Sequence, residues 1–117
     1  MPSGTLDWQI RFYVNARGDS PPLQYIKGLS PKDRAKVARS IDLLRHVGVA
    51  IREPYAKHLD GKLWELRLSP HRLIYFAIKG RRVVILHGFT KQRHRMLRHE
   101  IEVARTHMQR TRRDPEQ

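Results

Sequence analysis

Apolar and polar residues alternate with a period of two over several stretches of the chain, the pattern of strands with one buried face. Over 62–68, Trp64, Leu66 and Leu68 point one way while Glu65 and Arg67 point the other, which predicts a strand. Ser69-Pro70-His71 is a turn signal, and Leu73, Ile74, Tyr75, Phe76 and Ile78 make 72–79 a second strand. Gly80-Arg81 suits a two-residue hairpin turn, because glycine accepts the positive φ such turns need. The stretch 83–89 is almost wholly apolar, as expected of a central strand covered on both faces. Trp8, Ile10, Phe12 and Val14 alternate with Gln9, Arg11 and Tyr13 and add an N-terminal strand.

Helical periods fill the rest. Ser20-Pro21 reads as an N-cap followed by proline at the first helical position, starting a short helix through Leu23, Ile26 and Lys27 that stops at Gly28. Ser30-Pro31 repeats that start, with Asp33 where a capping-box acid sits. Val37, Ala38, Ile41, Leu44 and Val47 form an apolar stripe at helical spacing, and Gly48 ends the helix. Arg34, Lys36, Arg39 and Arg45 lie off the stripe and read as a solvated face. Residues 49–55 are a connector, since the residue before Pro54 is pushed away from helical geometry. Leu97, Ile101, Ala104 and Met108 predict a helix over 96–111, with a basic tail fraying from about residue 110.

The order is strand, helix, helix, strand, strand, strand, helix. It predicts one α+β domain over 1–117: an antiparallel sheet of about four strands, a helical hairpin on one face and a C-terminal helix. The other face is expected to stay partly open, with Glu65 and Arg67 on it and Arg72 and Lys91 nearby.

Composition narrows the function classes. Lys and Arg number 24 against 11 Asp and Glu, a net charge of +13. Such an excess on so short a chain points to a polyanionic partner, and nucleic acid is the commonest; a merely solubilising surface is the plainer alternative. Cysteine is absent, which excludes a disulfide framework and a thiolate metal site. No apolar run approaches a membrane span and no charged-then-apolar leader opens the sequence, so a cytoplasmic protein without a membrane partner is expected. The histidines show no HExxH-type pairing, and neither a metal nor another cofactor is expected.

Four pieces in order carry a family resemblance: Lys57-x-Leu59-x-Gly61-x-Leu63-Trp64-Glu65-Leu66-Arg67, then Arg72-Leu73-x-Tyr75, then Leu86-His87-Gly88-Phe89-x-Lys91, then Glu100-Ile101-x-x-Ala104. Together they resemble the RelE/HigB toxin superfamily, nearest its phage-derived HigB-like branch, over about 8–108. The resemblance implies a RelE-like fold and the toxin of a type II toxin–antitoxin system. It implies a small endoribonuclease cutting messenger RNA on the translating ribosome, held inactive by a cognate antitoxin, often of helix-turn-helix type.

Metal-free RNA cleavage uses the ribose 2′-hydroxyl as nucleophile. It needs a group to take the 2′ proton, charge to stabilise the phosphorane, and a donor for the departing 5′-oxygen. Arg67 and Arg72 suit the second task, since a guanidinium offers phosphate a permanently charged fork. Lys91 shares it as a point charge. Glu65 is the candidate base, or else an ion-pair partner that holds Arg67; Glu53 is a second candidate. The resemblance implies an acid near the C-terminus, and no tyrosine or histidine fills that place unambiguously. His94, His99, His87 and Tyr75 are the options, with His87 alternating with Val83, Ile85 and Phe89 as a core residue would. Lys57, His58, Arg93, Arg95 and Arg98 read as RNA- or ribosome-contacting residues, with Tyr75 a base-stacking surface or a core tyrosine. Two other classes remain: a same-fold toxin that acts by protein binding, as gyrase inhibitors do, and a non-catalytic basic RNA-binding module.

Overall fold

The computed structural model describes residues 7–92 and 97–113. The strands are β1 (Gln9–Phe12), β2 (Ala56–Asp60), β3 (Leu63–Leu68), β4 (His71–Ile78) and β5 (Arg82–Thr90). The helices are α1 (Pro21–Lys27), α2 (Pro31–Val47) and α3 (Arg98–Arg113), with a 3-10 turn at Gly48–Ala50.

The helix boundaries follow from local chemistry. The Ser20 and Ser30 hydroxyls accept from the Leu23 and Asp33 amides, and a proline opens each helix. These caps satisfy donors that helix starts leave unpaired. Gly80 and Arg81 both hold positive φ, +88° and +58°, in the β4–β5 turn.

The strand order is β1-β5-β4-β3-β2. Here β1 returns parallel to β5 after the helical crossover, and the other neighbours run antiparallel. The sheet therefore has five strands rather than about four. The extra one, β2, falls where a connector and the start of a meander were expected. Only Ala56 of its five residues is buried, so an edge strand of this kind leaves almost no apolar alternation to read.

Two cores sandwich the sheet. Val37 and Leu44 of α2 pack with Leu66, Leu68, Leu73, Tyr75, Val83 and Ile85 on one face. Ala104 and Met108 of α3 pack with Leu63, Ile74, Phe76, Val84 and Leu86 on the other. The face expected to stay partly open is thus covered by α3 along its middle. Arg105 of α3 also pairs with Asp60 of β2. The helix runs to Arg113 with Thr111 buried, so residues 110–113, expected to fray, are helical. Among the described residues no helix is long and apolar enough to cross a membrane.

Candidate functional site

Glu65 and Arg67 alternate with Trp64, Leu66 and Leu68, which places them on the α3 face. Pairing of β3 with β4 sets Arg67 directly opposite Arg72. Like charges so placed repel. Glu65 relieves this: its Oε1 lies 3.3 Å from Arg67 Nε and 3.7 Å from Arg72 Nε. Glu65 is 3% exposed and Arg72 8%, so this is a nearly dry carboxylate between two guanidinium groups. The two Nε donors are buried and, among the described residues, make no hydrogen bond; the attraction is ionic rather than a closed hydrogen-bonded clamp. Arg72 is further held by Nη1 donating to the His71 carbonyl at 3.0 Å.

Beside this cluster opens a cleft of about 250 Å³, lined by Lys57, Glu65, Arg67, Lys91 and Glu100 among others. Lys57 enters because β2 pairs it with Glu65. Lys91 follows β5, where its amide donates to the Pro70 carbonyl at 2.8 Å and ties the strand end to the β3–β4 turn. Three cations therefore reach one concavity from β2, β3 and the end of β5, with Arg72 behind them. Among the described residues no group of three or more His, Asp or Glu side chains is placed to hold a metal ion.

Several candidates lie elsewhere. His58 pairs with Trp64, on the hairpin face; its ring rests on Trp64 with centroids 5.1 Å apart, and its Nε2 bonds the Gly61 carbonyl. Tyr75 is a core residue on that same face, where burial pushes its phenol up to about 12; it is not a stacking surface in the cleft. Arg98 is exposed in the first turn of α3 and does not line the cleft, nor does Glu53 in the turn before β2. Arg93, Arg95 and His94 lie outside the described residues.

The cleft holds one acid that sequence reasoning did not single out. Glu100, in the first turn of α3, accepts from His87 Nε2 at 2.6 Å. His87 was expected to share a face with Val83 and Ile85. A bulge prevents that: Ile74 pairs with His87 but Tyr75 pairs with Ile85, which leaves Leu86 as the extra residue. The added residue turns His87 to the α3 face. The Leu86 carbonyl then accepts from His107 Nδ1 at 2.8 Å. His107 stacks on Tyr13 with centroids 4.1 Å apart, and burial holds its imidazole below its ordinary value. No local spacing rule joins residues 87 and 100; only the motif pieces around each could have drawn attention to them.

A second polar chain sits on the hairpin face, behind Thr90. Tyr25 Oη lies 2.8 Å from both His71 Nδ1 and Thr90 Oγ1. His71 Nε2 lies 3.1 Å from Asp33 Oδ2, so the acid in the capping-box place reaches a sheet histidine while also interacting with the Ser30 cap. The α1 helix reaches this close because residue 88 is glycine: a Cβ there would lie 2.5 Å from the Tyr25 ring. The hydrogen bond to His71 holds the Asp33 carboxyl below its ordinary value. A depressed carboxylate stabilises the fold above its unfolded value, about pH 4, and loses that contribution as pH falls through the folded value. Asp33→Asn is therefore expected to destabilise the protein at neutral pH. Its deficit should shrink as pH drops below the carboxylate range, read from urea midpoints of both proteins across pH.

The comparisons with known proteins agree with this architecture. The family described as "Phage derived protein Gp49-like (DUF891)" matches residues 24–109. No curated protein matches the chain at a significant level. Among solved structures, the toxin–antitoxin complex RelBE2 of Mycobacterium tuberculosis superposes with a TM-score of 0.56 at 19% identity, covering 73% of this chain and 99% of that one. The isolated RelE toxin of E. coli gives 0.55 at 14% identity, covering 81% and 96%. The intact E. coli RelBE complex gives 0.53 at 17%, covering 74% and 99%. With its meander, its crossover helices and its matching sequence profile, the chain belongs to the phage-derived Gp49-like family and has the RelE toxin fold.

Proposed function

We propose that this chain is the toxin of a toxin–antitoxin pair and an endoribonuclease that cuts messenger RNA on the translating ribosome in the cytoplasm. The observation that carries the reading is the cleft in which Lys57, Arg67 and Lys91 converge beside the Glu65–Arg72 pair. The 2′-oxygen attacks phosphorus, the O2′–P bond forms and the P–O5′ bond breaks, giving a 2′,3′-cyclic phosphate and a 5′-hydroxyl. Arg67 faces the charge that builds on the phosphorane oxygens, and Arg72 adds positive potential from behind. Lys91 supplies a second charge at the mouth. Lys57 contacts a neighbouring phosphate and fixes register rather than sequence. Charge fixed in advance at such a site costs no reorganisation during the reaction, which is why it lowers the barrier.

Glu65 is the anion that keeps two facing arginines together, and so a poor base: giving it a proton would leave two guanidinium groups uncompensated. The net charge of +13 suits both the ribosome's RNA and an antitoxin with an acidic docking segment, expected to be of helix-turn-helix type. Two of the matched structures are toxin–antitoxin complexes, which supports such a partner. Inducing the protein and mapping message 5′ ends tests the reading. Codon-linked cuts are expected. Intact messages with blocked replication would point instead to a protein target of the gyrase-inhibitor kind, and intact messages on occupied ribosomes to a non-catalytic RNA-binding module.

A further inference from the structure

Glu65, the base candidate read from sequence, is engaged by two guanidinium groups in the structure, which leaves the 2′ proton in need of another acceptor. We infer that Glu100 takes the 2′-hydroxyl proton and that His87 is the residue that positions it; the inference rests on the ribonuclease reading above.

Geometry carries it. Glu100 lines the same cleft as Arg67 and Lys91, and its side chain keeps 28% exposure while His87 keeps 16%. Its Oε1 takes a 2.6 Å hydrogen bond from His87 Nε2. Among the described residues its second oxygen has no partner, which leaves one carboxylate oxygen for substrate. The contrast with Glu65 is one of surroundings. Glu65 is 3% exposed and shared by two guanidinium groups, whereas Glu100 meets solvent and a single imidazole. Two carboxylates in one site, one locked in ion pairs and one open, divide the work of holding charge and moving a proton.

His87 is itself fixed. The bulge at Leu86 aims it at α3, its ring stacks on Phe89 with centroids 5.7 Å apart, and His107 stands edge-on at 6.4 Å. Among the described residues, the other charged and titratable groups around the pair are Lys57 on β2, Glu65 and Arg67 on β3, Arg72 on β4, Lys91 beyond β5, and Tyr13 behind His107. In the step, the 2′ proton passes to Glu100 as the O2′–P bond forms. The 5′-oxygen leaves with a proton drawn from solvent at the open mouth, and Glu100 returns its proton to solvent afterwards.

Single-turnover cleavage of a ribosome-bound message provides the test. Glu100→Gln keeps an acceptor for His87 but cannot take a proton, and is expected to slow cleavage by about 10²–10⁴-fold. Ribosome binding and thermal midpoint should hold, and the rise of rate with pH on the acidic side should disappear. Glu100→Asp retains the carboxylate one methylene further back, so it should keep that rise at a reduced rate. His87→Gln, which can still donate to Glu100, should recover part of the activity that His87→Ala loses. A substrate with sulfur at the 5′ bridging position separates base from acid, because sulfur departs without a proton. The Glu100→Gln deficit should persist on it, and its disappearance would make the pair the acid and overturn the assignment. Cleavage by Glu100→Gln at the parent's rate and pH profile would also overturn it while leaving the ribonuclease reading intact. Failure of the parent itself to cut RNA would overturn both.

Discussion

Arg67→Ala is expected to slow RNA cleavage by about 10²–10³-fold, the effect of removing one preorganised donor from a developing oxyanion. The loss should fall on the chemical step rather than on ribosome binding, because Lys57 and Lys91 still line the cleft. Stability should change little. The Arg67 side chain is 30% exposed, and a partly screened ion pair contributes about 1 kcal/mol or less. Losing Arg67 also removes its repulsion of Arg72 across the strand pair. Arg67→Lys should recover only part of the rate, since an ammonium keeps the charge but not the planar fork. Single-turnover rates set beside thermal midpoints check both halves, and an inactive variant with a lowered midpoint would mean that Arg67 is chiefly structural.

Glu65→Gln should act first on stability. It removes the only carboxylate shown within ion-pair distance of Arg67 and Arg72 among the described residues, leaving a guanidinium buried and unpaired. Breaking a buried pair from one side costs roughly 3–5 kcal/mol; the exposure of Arg67 brings the expectation to the lower end, about 3 kcal/mol. For a chain of this size that is a fall in melting temperature of about 10 °C. Activity falls as well, through displaced arginines. The cost should shrink when Arg72→Met is already present, because the deeper of the two charges is then gone. A double-mutant cycle in urea reads that coupling. An unchanged midpoint for Glu65→Gln, with cleavage lost, would restore Glu65 as the base.

The two serine–proline starts and the glycine stops of α1 and α2 were legible because they are local: a cap, a fixed φ and a helix end need no distant partner. Strand β3 was legible from alternation, and with it the shared face of Glu65 and Arg67; β4 and β5 were legible from apolar runs and turn chemistry, which left Arg72 only nearby until the β3–β4 register set it opposite Arg67. What needed long-range pairing was not. The short edge strand β2 buries one residue, so its register was invisible, and that register alone separates Lys57, in the cleft, from His58 on the opposite face. Tyr75 sits on β4, most of which is buried on both sides, so its composition did not say which core it joins. The bulge at Leu86 reversed the facing of His87, and its partner Glu100 arrives from a helix thirteen residues later.

The central claim is that the cleft directs a ribose 2′-oxygen at the adjacent phosphorus. The most direct measurement uses the purified protein and ribosomes holding a message with a single 2′-deoxynucleotide at the mapped cut site. The unmodified message should be cut there, leaving a 2′,3′-cyclic phosphate and a 5′-hydroxyl, and the deoxy message should stay whole at that position. Equal cleavage of both, or a 5′-phosphate on the product, would contradict the account.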